Sequence, residues 1–241
     1  MLSSDTNINM KSKDIIDVLR IVQICDSNFP IGAFNHSFGM ETYLRNDKIN
    51  DTNTMREWLN IFLENQFIYS DALAIRMLYE YLEKNELDEV WRLDRIITVQ
   101  SIGKETRNGS KLIASRMIKI FLELHELELV KSYENKIING EAFGHPAIVF
   151  GLTMYSLNAS EDEAIIFYMY STVSTLIQNA VRAIPIGQKD GQLLIKEFSE
   201  KFKYLYKKVE SMDYSLLGCS IPGIELSQIN HEVLDFRLFM S

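Results

Sequence analysis

The chain has 241 residues, of which 46% are hydrophobic and 24% charged, with a formal net charge of -8. That length supports one domain with a sizeable core. The acidic balance excludes a protein that wraps nucleic acid, which needs clustered Lys and Arg, and suits a basic protein face instead.

Four prolines and eleven glycines are few, and they cluster. Long stretches without a breaker favour helices over many short strands. Residues 1–12 carry no apolar core of signal-peptide length and read as a short disordered lead. Lys13 to Ser27 is expected to be the first helix, with Ile15, Ile16, Leu19, Val22 and Ile24 turned inward. Pro30 and Gly32 then set a turn, and a second helix is expected from about Asn35 to Asn46, with His36, Gly39 and Tyr43 on one face. Thr54 to Glu57 has capping-box spacing and predicts a helix start, with Trp58, Phe62 and Phe67 buried. Helices follow over Asp71–Glu83, Glu86–Gln100 (capped by Asn85), Ile102–Leu124 and Glu126–Ile138. Pro146 after Gly144 and His145 marks a further start, since proline at the first helical position loses nothing by lacking an N–H.

Ser160 to Glu163 is a second capping box. It opens a stretch, Ala164 to Val181, that carries no charge and is apolar nearly all round. Such a helix is buried, in a core or a membrane. Ser171, Thr172, Ser174, Thr175, Gln178 and Asn179 argue against lipid, where unpartnered polar groups are costly. It is therefore expected to be the central core helix, ending in a polar turn over Pro185–Gly191, after which Gln192–Glu210 is amphipathic and basic at its end. Beyond Ser211 no long helical pattern is apparent. The expectation is one all-α domain over 13–211 and a flexible C-terminal tail over 212–241 that a partner orders, with Phe236, Leu238 and Phe239 as apolar anchors.

Chemistry is sparse. His36, His125, His145 and His231 are the only histidines; none pairs with another at metal-ligand spacing, and there is no Cys pair. Cys25 and Cys219 are far apart, as in a reduced cytoplasmic chain. No nucleophile elbow, P-loop or dinucleotide fingerprint occurs. His36 and Glu41 could be drawn as an acid–base pair, but five residues apart they do not share a helical face. The polar cluster of Gln178, Asn179, Arg182, Gln188, Asp190 and Gln192 either satisfies the end of a buried helix or faces a partner. Arg182 can pair bidentately with a carboxylate or phosphate. Phe29, Phe34 and Phe38 are either core residues or interface anchors on a Pro/Gly turn.

Three stretches carry a family resemblance: Phe29-Pro30-Ile31-Gly32-Ala33-Phe34-Asn35-His36-Ser37-Phe38-Gly39-Met40-Glu41; Asn179-Ala180-Val181-Arg182 through Pro185, Gly187 and Gln188 to Asp190-Gly191-Gln192; and His231-Glu232 through Phe236 and Arg237-Leu238-Phe239-Met240-Ser241. Gly144-His145-Pro146 and Gly151 add a weaker fourth. In order, spacing and total length the sequence resembles the urease accessory protein UreF family, with Met40 and Ile186 where leucine is usual. The resemblance implies an all-helical, dimeric, non-enzymatic maturation factor of the cytoplasm. It would bridge a UreD/UreH-like accessory protein and the nickel-carrying GTPase UreG, which together deliver nickel to apo-urease with GTP hydrolysed on UreG. Nickel and GTP are then expected on the GTPase, with no cofactor or metal held by this chain, and neither membrane nor nucleic acid as partner. The partner-binding residues implied are Phe29, Pro30, Phe34, His36, Ser37, Glu41, Arg182, Gln188, Asp190, Gln192, His231, Glu232, Phe236, Arg237, Leu238 and Phe239.

Overall fold

The computed structural model describes residues 15–241, so the N-terminal lead and the expected start at Lys13 lie outside the described residues. These residues form α1 (Ile15–Cys25), α2 (Met40–Arg45), α3 (Thr52–Asn65), α4 (Asp71–Glu83), α5 (Leu87–Gln100), α6 (Lys104–Leu124), α7 (Glu128–Ile138), α8 (Pro146–Ser156), α9 (Glu161–Ala183), α10 (Gln188–Glu210) and α11 (Pro222–His231). Single 3-10 turns lie at Ala33–Asn35, Phe67–Tyr69 and Tyr214–Leu216, and no strand occurs among the described residues. The fold is all-α, as the breaker-free sequence predicts.

Local chemistry explains the ends. Asp51 caps α3: its carboxylate accepts from Thr54 N at 2.8 Å while Asp51 N donates to Thr54 Oγ1 at 3.1 Å. The helix thus starts two residues before the expected Thr54, and Thr54 closes the capping box rather than opening it. Ser160 N donates to Glu163 Oε2 at 2.8 Å at the head of α9. At α8, His145 Nδ1 accepts from Ala147 N ahead of Pro146.

The core is shared by three helices. α9 packs against α1, α4, α8 and α10, and α4 against α5, α8, α9 and α10. Every residue of α8 from Pro146 to Met154 is buried. The long uncharged helix is therefore central but not alone, and its Tyr170 reaches solvent. No helix among the described residues is long and apolar enough to cross a membrane.

Four expectations are corrected. On α1 the inward residues are Ile21, Ile24 and Cys25, whereas Ile15, Ile16, Leu19 and Val22 are exposed; periodicity defines an apolar stripe without saying which way it faces. The expected helix from Asn35 is shortened to Met40–Arg45, because Phe38 and Gly39 adopt left-handed φ of 52° and 94°. A side chain at Gly39 would also meet Ser227 Oγ at 2.5 Å. The polar turn after α9 is only Ile184–Gly187, so Gln188, Asp190 and Gln192 belong to the start of α10. Finally, the C-terminal segment contains α11, with Pro222 at its first position. Its buried residues are Ile224, Ser227, Gln228 and His231, a helical stripe too polar to register as one.

Candidate functional site: a clasp joining three distant stretches

α2, the end of α11 and the C-terminal strap (232–241) meet around one carboxylate. Glu41, on the first turn of α2, is fully buried. Its Oε1 accepts from Leu238 N at 2.6 Å and from Arg45 at 3.2 Å. Its Oε2 accepts from Phe239 N and from His231 Nε2, both at 3.0 Å. The other ring nitrogen of His231 lies 2.7 Å from Glu105 Oε2 on α6, and Glu105 Oε1 accepts from Arg237 at 2.6 Å. Both ring nitrogens of His231 thus face a carboxylate. Burial raises the Glu105 carboxyl, but hydrogen bonds from His231 and Arg237 outweigh it and hold the group below the ordinary glutamate value. Glu232, half-buried, accepts from Lys104 N at 2.9 Å and so caps α6.

A second set of bonds seats the last residues. Met240 N donates to Asn35 O at 2.7 Å and Ser37 N to Ser241 O at 2.5 Å. Ser241 Oγ lies 2.7 Å from His36 Nδ1. Asn179 of α9 donates to His36 O at 3.0 Å. The His36 ring rests on Gly109 of α6, where an added Cβ would come within 2.6 Å of Nδ1 and 3.1 Å of Ser241 Oγ. Burial, then the charges of Arg116 and His231, lower the His36 pKa to about 4, so the ring is neutral at pH 7.

Arg182, at the end of α9, donates to Phe34 O at 3.3 Å. Its guanidinium lies 5.8 Å from the Phe34 ring centre and 5.9 Å from that of Phe239, within cation–π range of both. The arginine thus ties the first stretch to the third.

The sixteen residues singled out in the sequence therefore divide into groups. His36, Ser37, Glu41, His231 and Phe239 are interior and build the clasp, so in this conformation a partner does not touch their side chains. Phe29 is core, packed on Phe121 at 5.6 Å between ring centres. Phe239 is not an outward anchor, because it closes under Arg182. Pro30, Phe34, Arg182, Phe236, Arg237 and Leu238 are exposed, with Phe236 81% accessible. Gln188 and Gln192 are exposed and Asp190 half-buried, and none of the three hydrogen-bonds to the clasp. Sequence reasoning missed Glu105, Gly109 and Gln228. Glu105 looked like any acidic residue in a helix first turn, and no local signal marks it. His36 and Glu41, drawn as a possible acid–base pair, instead address Ser241 and His231. Among the described residues no group of three or more His, Cys, Asp or Glu could hold a metal ion.

The chain is similar to known proteins along nearly its whole length. The family model UreF matches residues 49–199. The chain is 44% identical over 236 residues to the urease accessory protein UreF of Streptococcus salivarius, covering 98% of this chain and all of the relative. It is 41% identical over 224 residues to the protein of that name from Lachnoclostridium phytofermentans (93% and 98% covered) and 38% over 224 residues to that from Bacillus sp. strain TB-90 (93% and 99% covered).

Proposed function

This chain belongs to the UreF family of urease accessory proteins, and from that premise we propose that it is the helical scaffold joining a UreD/UreH-like protein to the nickel-carrying GTPase UreG as apo-urease is matured. The family is one of accessory proteins rather than enzymes, and its role is in urease maturation. The observation that carries the finer reading is the outer face of the clasp. Leu226, Ile229, Val233, Phe236, Leu238 and Met240 are all exposed apolar residues on one C-terminal segment. An apolar cluster rimmed by charged groups such as Arg237 and Arg182 is the composition of a protein interface.

We assign this face to the UreD/UreH-like partner, with Phe236, Leu238 and Phe34 as contacts and the buried Glu41, His231 and His36 as the residues that position them. Bridging needs a second contact. The exposed stripe Ile15, Ile16, Leu19 and Val22 of α1, next to Tyr170 of α9, offers another apolar face on different elements; the GTPase and a second copy of this chain are its candidate occupants. Arg182 is engaged by Phe34 and Phe239 and acts as a clamp on the partner surface rather than as an arginine inserted into the GTPase. Nickel and GTP reside on the GTPase, and the assembly works in the cytoplasm.

The test is co-purification of the full chain with UreD/UreH-like and UreG-like proteins, followed by mass and nickel content. Deleting Leu234 to Ser241 is expected to abolish the complex with the UreD/UreH-like protein while leaving helicity intact. Unchanged binding by the deleted chain overturns the assignment.

A further inference from the structure

A cavity of about 160 Å³ lies between α4, α6, α9 and the segment 218–228. It is partly open, with the exposed Ile102, Cys219 and Ser220 at its mouth, and its walls are mostly apolar. Phe62, Phe67, Tyr168 and Phe150 form a run of rings along it, with centres 6.1, 5.8 and 5.0 Å apart in turn. An apolar cavity of about 150 Å³ takes a benzene-sized molecule. The size therefore suits one six-membered ring.

The polar groups of the wall are of one kind. Asp71 and Glu225 line the cavity, and among the described residues no Lys or Arg does. His145 adds no positive charge at pH 7, because burial lowers its pKa and its Nδ1 accepts from Ala147 N. Tyr168 OH donates to Asp71 Oδ1 at 3.3 Å and Ser70 Oγ to Asp71 Oδ2 at 2.9 Å. A carboxylate offers about four lone-pair sites, so Asp71 retains acceptor capacity beside the aromatic run. Three buried oxygens on the wall have no partner in the protein: Gln66 Oε1, Gln100 Oε1 and Thr106 Oγ1. Gln100 gives its amide Nε2 to Leu217 O at 3.1 Å, which leaves the oxygen as its free end. Thr106 is only 6% exposed, so bulk water does not serve its hydroxyl. Such groups are seldom left unmatched. A ligand that satisfies them brings N–H donors, and the acidic, ring-lined wall favours that those donors carry positive charge.

We propose that this cavity is a binding site for a small organic cation, an aromatic-ring-sized amine or amidine. Its ring packs along Phe67, Tyr168 and Phe150, and its charged nitrogens meet Asp71 and the unpartnered oxygens. The site lies within this chain alone and stands apart from the partner assignment.

The probe is 4-fluorobenzamidine, titrated into the full chain at pH 7 and followed by fluorine NMR. It is expected to bind at least about tenfold more tightly than 4-fluorobenzoate, which has the same ring and the opposite charge. Guanidinium, which keeps the charge and lacks the ring, is expected not to displace it at equal concentration. Asp71→Asn should weaken binding about tenfold, and Thr106→Val, which keeps the volume and removes a hydroxyl, by a smaller factor. Glu57→Gln, at an exposed carboxylate outside the cavity, should leave affinity unchanged. Circular dichroism checks that each variant keeps its helix content, and the comparison of probes on the unaltered chain does not depend on any variant. Equal binding of the benzoate, displacement by guanidinium, or full affinity in Asp71→Asn overturns the proposal. So does an equal loss in Glu57→Gln, which would show attraction to the acidic chain as a whole.

Discussion

Glu41 is a carboxylate removed from water yet satisfied by four donors, two of them backbone amides of the strap. Its removal leaves His231 Nε2 and two amides without an acceptor. Glu41→Ala is therefore expected to lower stability by about 3–5 kcal/mol, the range for breaking one side of a buried pair, measured by urea unfolding. His36 gives the site an acid limit. Its pKa in the fold, about 4, lies below the ~6.5 of an unfolded histidine. The neutral ring's contribution is thus complete above the unfolded value and is lost as pH falls through the folded one. Glu105, also lowered, acts in the same direction. The melting temperature should fall between pH 6.5 and 4, and less steeply in His36→Gln. Equal slopes would show that His36 is not responsible. Gly109→Ala puts a methyl against the His36 ring. It is expected to cost about 1–3 kcal/mol by overpacking and to loosen Ser241, read as a lower unfolding midpoint.

At the level of elements, α1 and α11 both turn several apolar side chains outward, and sequence reading faced the first the wrong way and missed the second. The boundaries of α4 were legible to the residue, and those of α8 and α9 nearly so, because Pro146 and the Ser160–Glu163 box are chemical end signals. The direction of the α1 stripe was not legible, because apolar spacing is the same whether a core or a partner covers it. α11 was invisible because Ser227, Gln228 and His231 occupy the inward positions. Substitution should separate its two faces. Leu226→Ser on its outer face and Val233→Ser just beyond its end are expected to change unfolding free energy by less than about 0.5 kcal/mol while weakening the complex with the UreD/UreH-like protein. Ile224→Ala, inside, should cost about 2–4 kcal/mol. A partner affinity unmoved by the outer pair would remove α11 from that interface.

Across the whole molecule, three stretches, 29–41, 179–192 and 231–241, are gathered on a helical body whose centre is α4, α8 and α9. Their residue types were readable one by one, but their convergence was not. It depends on where α6 places Glu105 and Gly109, neither of which lies in any of the three stretches. The body carries the fold and the clasp displays a surface, so the two should separate in solution. Helix content of the isolated chain, followed by circular dichroism, is expected to be nearly the same after loss of residues 232–241, which contain no helix. A large drop would mean that the strap is needed to fold the body. The manner of attachment has a further consequence. Leu238, Phe239 and Met240 are held by their amides, Ser241 in part by its carbonyl, and His36 and Phe34 receive Asn179 and Arg182 through theirs. Main-chain atoms are common to every residue type. Side chains at 236, 238 and 240 can therefore drift to follow a changing partner while the strap keeps its place, which lets recognition evolve without renegotiating the fold.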